Sequence, residues 1–155
     1  MGKGKEISQW RSEVIEKFIN LEWLINSIIS QKYLKACSYP FLFDFLYDVN
    51  CTFALKRNVL FKISPDFPEK DNLNRLNNIR NLFAHCNQEL FRNISNAPPS
   101  DAIGVIPNPK NPERDICFKQ LHEEFNTKEP AVARALLEIY YSLGGQLLPV
   151  PDSKN

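Results

Sequence analysis

At 155 residues, with 43% apolar and 24% charged residues and a formal net charge of +1, the chain has the balance of a folded globular protein long enough to bury its own core. That balance excludes a disordered charged tail, a collagen-like fibre and a nucleic-acid binder that works through a global basic field. The charge is mildly divided: residues 1–86 carry 12 Lys+Arg against 9 Asp+Glu, net +3, and residues 87–155 carry 7 against 9, net −2.

Met1-Gly2-Lys3-Gly4-Lys5 runs into Glu6 without an apolar signal segment, and Glu6 stands where an N-myristoylation motif wants Ser or Thr. No apolar run approaches the ~20 residues of a membrane span. Cys37, Cys51, Cys86 and Cys117 form no C-x-x-C pair, so free thiols and a cytoplasmic location are expected.

The first segment, from about Ser8 to Lys32, reads as an amphipathic helix. Trp10, Val14, Phe18, Leu21, Ile25 and Ile28 recur at spacings of three and four, with Arg11, Glu13, Glu16, Lys17, Glu22 and Asn26 on a solvated face. Ile15, Ile19 and Ile29 widen the stripe, as if for two neighbours or a second subunit. Pro40 suits a first helical turn, and Phe41–Val49 reads as a short helix in which Asp44 and Asp48 share a face. Its aromatics, Phe41, Phe43, Phe45 and Tyr47, read as core bulk rather than a base-stacking platform. Cys51–Ile63 is helix-like, with Phe53, Leu60 and Ile63 opposite Lys56, Arg57 and Lys62.

Pro65 and Pro68 mark a loop. A further helix starts near Asp71, with Asp71 or Asn72 as N-cap, buries Leu73, Leu76, Ile79, Leu82 and Phe83, and ends between His85 and Asn87. Five of the eleven prolines stand between Ala97 and Pro112, which predicts an irregular excursion over about 88–115. Ile116-Cys117-Phe118 suggests a short strand or turn. The last helix takes Pro130 in its first turn, buries Val132, Leu136, Leu137, Ile139, Tyr140 and Leu143, and stops at Gly144-Gly145. Residues 149–155 are expected to fray. The expected fold is all-α, a helical bundle of four to five helices in one domain over 1–155.

The run Ile79-Arg80-Asn81-Leu82-Phe83-Ala84-His85 concentrates the chemistry. Arginine is a permanent cation that forks onto phosphate, and histidine moves protons near neutral pH. Metal-free RNA cleavage needs a group to take the 2′-hydroxyl proton and a cation to hold the phosphate. His85 fits the first role, Arg80 the second, and Asn81 adds a hydrogen-bond donor for substrate. Five positions of helix separate Arg80 from His85 by about 7.5 Å of rise and about 140° of rotation, so a joint site needs a loosened helix end. One histidine does not readily serve as both base and acid, so a dimer is expected. The alternative is structural: Arg80 paired with Glu13, Glu16, Asp44 or Asp48, and His85 closing the helix.

The run I-R-N-L-F-A-H resembles the signature of the HEPN superfamily, in which an arginine followed by a polar residue precedes a histidine at the end of a bundle helix. The order of the preceding elements is also similar: an acidic-apolar first helix, then Asp44 and Asp48, then Phe53-x-x-Lys56. Phe53 to His85 looks closest to the branch of the mannitol operon repressor-like proteins, and the resemblance spans roughly residues 8–90. It implies an α-helical bundle, often a homodimer. In catalytic members it implies metal-independent endoribonuclease activity, which by position falls on Arg80 and His85 with Asn81 at the polar position. In other members it implies a non-catalytic regulatory or interaction module with a protein partner or antitoxin. No helix-turn-helix or basic recognition helix is present in the pattern. Neither a P-loop nor a serine elbow is found. His85, Cys86, Cys117 and His122 lack the close spacing of a chelating pair, so ordinary thiols and a surface histidine are expected there, with neither metal nor cofactor.

Overall fold

In the computed structural model, which describes residues 3–36, 38–85, 105–108 and 111–146, the first helix, α1 (Lys3–Leu34), runs 32 residues without a break. Its stripe is buried as the periodicity requires: Val14, Phe18, Leu21, Ile25, Ile28 and Ile29 are all at most 4% exposed, whereas Ile19 stays 53% exposed. The residues divide into two compact units, Met1–Asn20 with Glu69–Val132 and Leu21–Pro68 with Ala133–Asn155.

The first unit combines the start of α1 with α4 (Lys70–His85), a hairpin of β1 (Val105–Asn108) and β2 (Asn111–Cys117), and the start of α5 (Phe118–Ser142). Leu73, Leu76, Ile79 and Phe83 of α4 are fully buried with Val14, Phe125 and Val132. Phe83 and Phe118 meet with ring centroids 4.9 Å apart. Arg75 and Glu124 form a two-pronged ion pair, Nε to Oε1 at 2.8 Å and Nη2 to Oε2 at 2.7 Å, which ties α4 to α5.

The second unit combines the rest of α1 with a short α2 (Tyr39–Phe41), a π-helical run (Leu42–Leu46), α3 (Phe53–Ile63) and the end of α5. Ser38 caps α2, its Oγ accepting from Phe41 N, and Thr52 caps α3, its Oγ1 accepting from Leu55 N. Leu42 and Leu46 point inward with Leu21, Ile25, Leu60 and Leu136.

The architecture is all-α, as the sequence predicts, with one antiparallel hairpin ahead of α5. Several details differ. The expected irregular excursion contains ordered β-structure: Val105 pairs with Cys117, Ile106 with Ile116 and Pro107 with Asp115, and the register shifts between Pro107 and Asn108. In a two-stranded ladder every strand is an edge, so Pro107 and Pro112 are tolerated. Of the segments expected to be irregular or frayed, residues 88–104, 109–110 and 149–155 lie outside the described residues. The last helix starts at Phe118 rather than at Pro130, because Phe118, Leu121 and Phe125 extend the buried stripe upstream. Pro130 sits exposed within it, where the carbonyl it leaves unbonded can face water. Asp71 lies inside the first turn of α4 rather than capping it, a favourable place for a carboxylate, and Asn72 Nδ2 donates to Glu69 Oε2 at 2.6 Å.

Five side chains are on the opposite side from expectation. Asn26 is 0% exposed rather than solvated, and Lys56 is 2% exposed. The Lys56 ammonium is held by Glu22 Oε1 at 2.6 Å and lies 5.2 Å from the Tyr47 ring centroid. Conversely, Phe43, Phe45 and Tyr47, expected in the core, are 59%, 57% and 38% exposed. The wider turn of the π-run aims only Leu42 and Leu46 inward.

α5 ends in a Schellman turn. Gly145 N donates to Tyr140 O at 3.0 Å and Gly144 N to Tyr141 O at 2.9 Å, with Gly144 at φ +86°. A Cβ on Gly145 would lie 2.5 Å from the Tyr140 ring.

Two outcomes test these packing arguments. Glu22→Ala strands a buried ammonium and lowers the unfolding free energy by about 2–3 kcal/mol, below the fully buried case because Glu22 keeps some exposure. Lys56→Met removes the charge at similar volume and costs under about 1 kcal/mol; urea midpoints separate the two. Gly145→Ala displaces the buried Tyr140 ring and costs about 1–3 kcal/mol in the same assay.

Candidate functional site

The register of α4 decides where the motif faces. With Ile79 and Phe83 turned fully into the core, Arg80 and Asn81 fall half-buried on its flank, and Ala84 and His85 are exposed at its end. The Arg80 guanidinium carbon lies 4.7 Å from the Phe18 ring centroid, and its Nη2 donates to Asn77 Oδ1 at 3.0 Å. A cation–π seat of this kind is worth about 0.5–2 kcal/mol and fixes the plane of the guanidinium.

α4 remains α-helical through His85. The loosened end expected to swing the imidazole towards the arginine is absent, and Arg80 and His85 leave the helix about 140° apart. The cation that does sit at the end of α4 comes from α1: Arg11 Nε donates to Phe83 O at 2.7 Å. This satisfies a last-turn carbonyl and places positive charge at the negative end of the helix dipole. Helical periodicity alone places Arg11 on a solvated face. The contact spans 72 positions, and nothing in local spacing signals it.

Of the carboxylates expected as structural partners of Arg80, Glu13 is engaged elsewhere. Glu13 belongs to a polar network that the sequence did not reveal. Its Oε1 accepts from Lys17 Nζ at 2.9 Å and its Oε2 lies 2.8 Å from His122 Nε2. Lys17 Nζ also donates to Asn126 Oδ1 at 2.8 Å, and Asn126 Nδ2 is 3.0 Å from the same His122 nitrogen. Nε2 cannot donate to Glu13 and accept from Asn126 at once; the shorter, charge-assisted contact assigns its proton towards Glu13. Trp10 stacks on the imidazole with centroids 5.6 Å apart and planes at 21°. His122 is thus a packed, hydrogen-bonded residue rather than a surface one, with only 16% of its side chain exposed. The i, i+4 spacing of Glu13 with Lys17 and of His122 with Asn126 was the one available signal.

These contacts perturb two carboxyls. The Lys17 and then the His122 hydrogen bonds hold Glu13 below the ordinary carboxylate range. The Arg75 hydrogen bonds hold Glu124 below it and raise the Arg75 guanidinium. Among the described residues no group of three or more His, Cys, Asp and Glu is arranged to hold a metal ion. Cys51 and Cys117 are free and half-buried, while Cys37 and Cys86 lie outside the described residues. No described helix is long and apolar enough to cross a membrane.

No family model, curated protein or solved structure matches the chain.

The depressed carboxyls set a pH dependence. Each stabilises the fold above its unfolded pKa, about 4.3, and the contribution is lost as pH falls through the lower folded value. Glu124→Gln therefore lowers the unfolding free energy by about 0.5–1 kcal/mol at pH 7, and its stability converges with wild type once pH has fallen through the lowered folded pKa of Glu124. Urea unfolding from pH 7 down through that value measures both limbs.

Proposed function

We propose that this is a HEPN-like protein that cleaves RNA without a metal, through Arg80 and His85 at a homodimer cleft. The observation that carries the reading is the His85 imidazole standing exposed at the end of α4, on the same helix as an arginine whose direction is fixed by Phe18 and Asn77. Arg11, bonded to the last-turn carbonyl of Phe83, supplies a second cation at that end.

In this reading His85 takes the proton from a ribose 2′-hydroxyl. The 2′-oxygen attacks the adjacent phosphorus and the 5′-oxygen leaves, giving a cyclic 2′,3′-phosphate and a 5′-hydroxyl. The leaving oxygen must receive a proton, and His85 of a second copy supplies it. Because the pair diverges by about 140° on the regular α4, the site requires the helix end to bend at the dimer cleft; there Arg80 stabilises the charge that develops on the phosphorane oxygens, and Asn81 donates a hydrogen bond to the RNA. Preset direction of the guanidinium reduces the ordering cost at the transition state.

A second reading, a non-catalytic regulatory or interaction module resembling the mannitol operon repressor-like proteins, is favoured by one observation. Arg80 is half-buried on Phe18, as a structural arginine would be. Such a module works through a protein partner or antitoxin.

Incubation with mixed RNA in EDTA separates them. The nuclease yields fragments with cyclic phosphate ends; His85→Ala abolishes them while changing stability by less than about 0.5 kcal/mol, since the side chain is exposed. Arg80→Ala loses cleavage together with about 1–2 kcal/mol of stability through the lost ring contact. Intact RNA with wild type sinks the nuclease reading, and a partner whose binding depends on Arg80 or His85 supports the module.

A further inference from the structure

In the second unit, Phe43, Phe45 and Tyr47, which the sequence places in the core, are exposed as part of an ordered array of rings. Tyr39, Phe43 and Tyr47 stack in turn, with centroids 6.2 Å and 5.6 Å apart and planes at 8° and 23°. Trp23 continues the column at 6.1 Å from Tyr47. Beside it Phe41 and Phe45 form a second pair, 5.3 Å apart at 15°. Tyr39, Phe43 and Phe45 each expose more than half of their surface. Ordered aromatic exposure of this extent marks an interaction surface on a folded protein, and π-helical runs recur at functional sites.

The geometry assigns a place to the charge as well. Leu42 and Leu46 face the core, and successive residues turn by about 100°, somewhat less in the wider π-turn. Phe43 and Tyr47 therefore flank one side of the run and Phe41 and Phe45 the other, with Asp44 outward between them. Asp48 follows at the end of the run, its Oδ1 accepting from Asn50 N at 2.8 Å and Asn50 Nδ2 at 2.9 Å. Between Lys35 and Lys56 these two aspartates are the only charged residues. The surface is two aromatic columns around a carboxylate.

We infer that this ridge binds arginine side chains of a cationic peptide segment on another protein. A guanidinium lies flat on an aromatic face and at the same time forks onto a carboxylate, a combination that a lysine ammonium satisfies less well. Tyr47, between Phe43 and Trp23 in the column, already works this way. The Lys56 ammonium lies 5.2 Å from the Tyr47 centroid and 2.6 Å from Glu22 Oε1, a cation shared between a ring and a carboxylate. The outer rings stand on either side of exposed Asp44 on the same run, with the cation to be supplied from outside. Single-stranded RNA would stack its bases on the rings, but its phosphates would meet the aspartates. A second copy of the same face would set like charges against one another.

Fluorescence anisotropy with the full chain and a labelled Gly-Arg-Gly-Arg-Gly-Arg-Gly peptide tests the assignment. The peptide binds at low salt and its lysine counterpart binds more weakly. Phe43→Ala, Phe45→Ala and Asp44→Asn each weaken binding by about twofold to fivefold, the scale of a cation–π contact at an exposed site. His85→Ala leaves it unchanged. All three ridge positions are exposed, and melting curves confirm that the variants fold. Equal binding to wild type and the ridge variants overturns the inference. So does oligouridine binding that Phe43→Ala removes when the peptide does not bind, or a dimer in sedimentation that Phe43→Ala dissociates when the peptide does not bind.

Discussion

Burial of the α1 seam is the constraint on which the other elements depend, because one helix supplies core residues to both compact units: Val14 and Phe18 to one, Leu21, Ile25, Ile28 and Ile29 to the other. At about 1.5–3 kcal/mol for each fully buried apolar side chain, the gross gain is comparable with the whole net stability of a domain, about 5–15 kcal/mol. The polar contacts of α1 act within that frame. Arg11 reaches the end of α4, Glu13 and Lys17 engage α5, and Glu22 holds Lys56 on α3. Each contributes modestly, and together they select one alignment of the neighbouring helices.

Much of the helical layout was legible because periodicity survives in a single sequence. The α1 stripe, the Leu73–Phe83 face of α4 and the Gly144-Gly145 stop are all visible without a structure. What failed did so for identifiable reasons. Proline favours a first turn, so Pro130 signals a helix start, yet the apolar positions at Phe118, Leu121 and Phe125 outweigh one missing hydrogen bond. The aromatic run was placed inside because bulk usually is. A π-turn shows the core fewer of its residues, and composition carries no sign of that geometry. Lys56 looked like surface because its charge is cancelled by a residue 34 positions away.

The Ile79–His85 run was legible as the end of a buried-face helix but not in the posture of its polar side chains. Spacing already showed that Arg80 and His85 diverge around the helix, and the regular end of α4 preserves that divergence. What spacing could not show is that Phe18, from another helix, supplies the seat of the arginine, or that Arg11 closes the carbonyl end. Both contacts depend on how α1 lies against α4. The His122 network was hidden for the same reason, since Glu13 and His122 are 109 positions apart.

The seat of Arg80 on Phe18 has a consequence for descent. Phe18 is at once a core residue, 2% exposed, and the surface that the motif arginine rests on. A substitution there alters the packing of α1 and the posture of the arginine in one step, so the two positions do not drift independently. Replacing the ring with an aliphatic side chain keeps a filled core but removes the flat face on which the Arg80 guanidinium rests. Paired change at positions 18 and 80 is the trace such coupling would leave in related sequences.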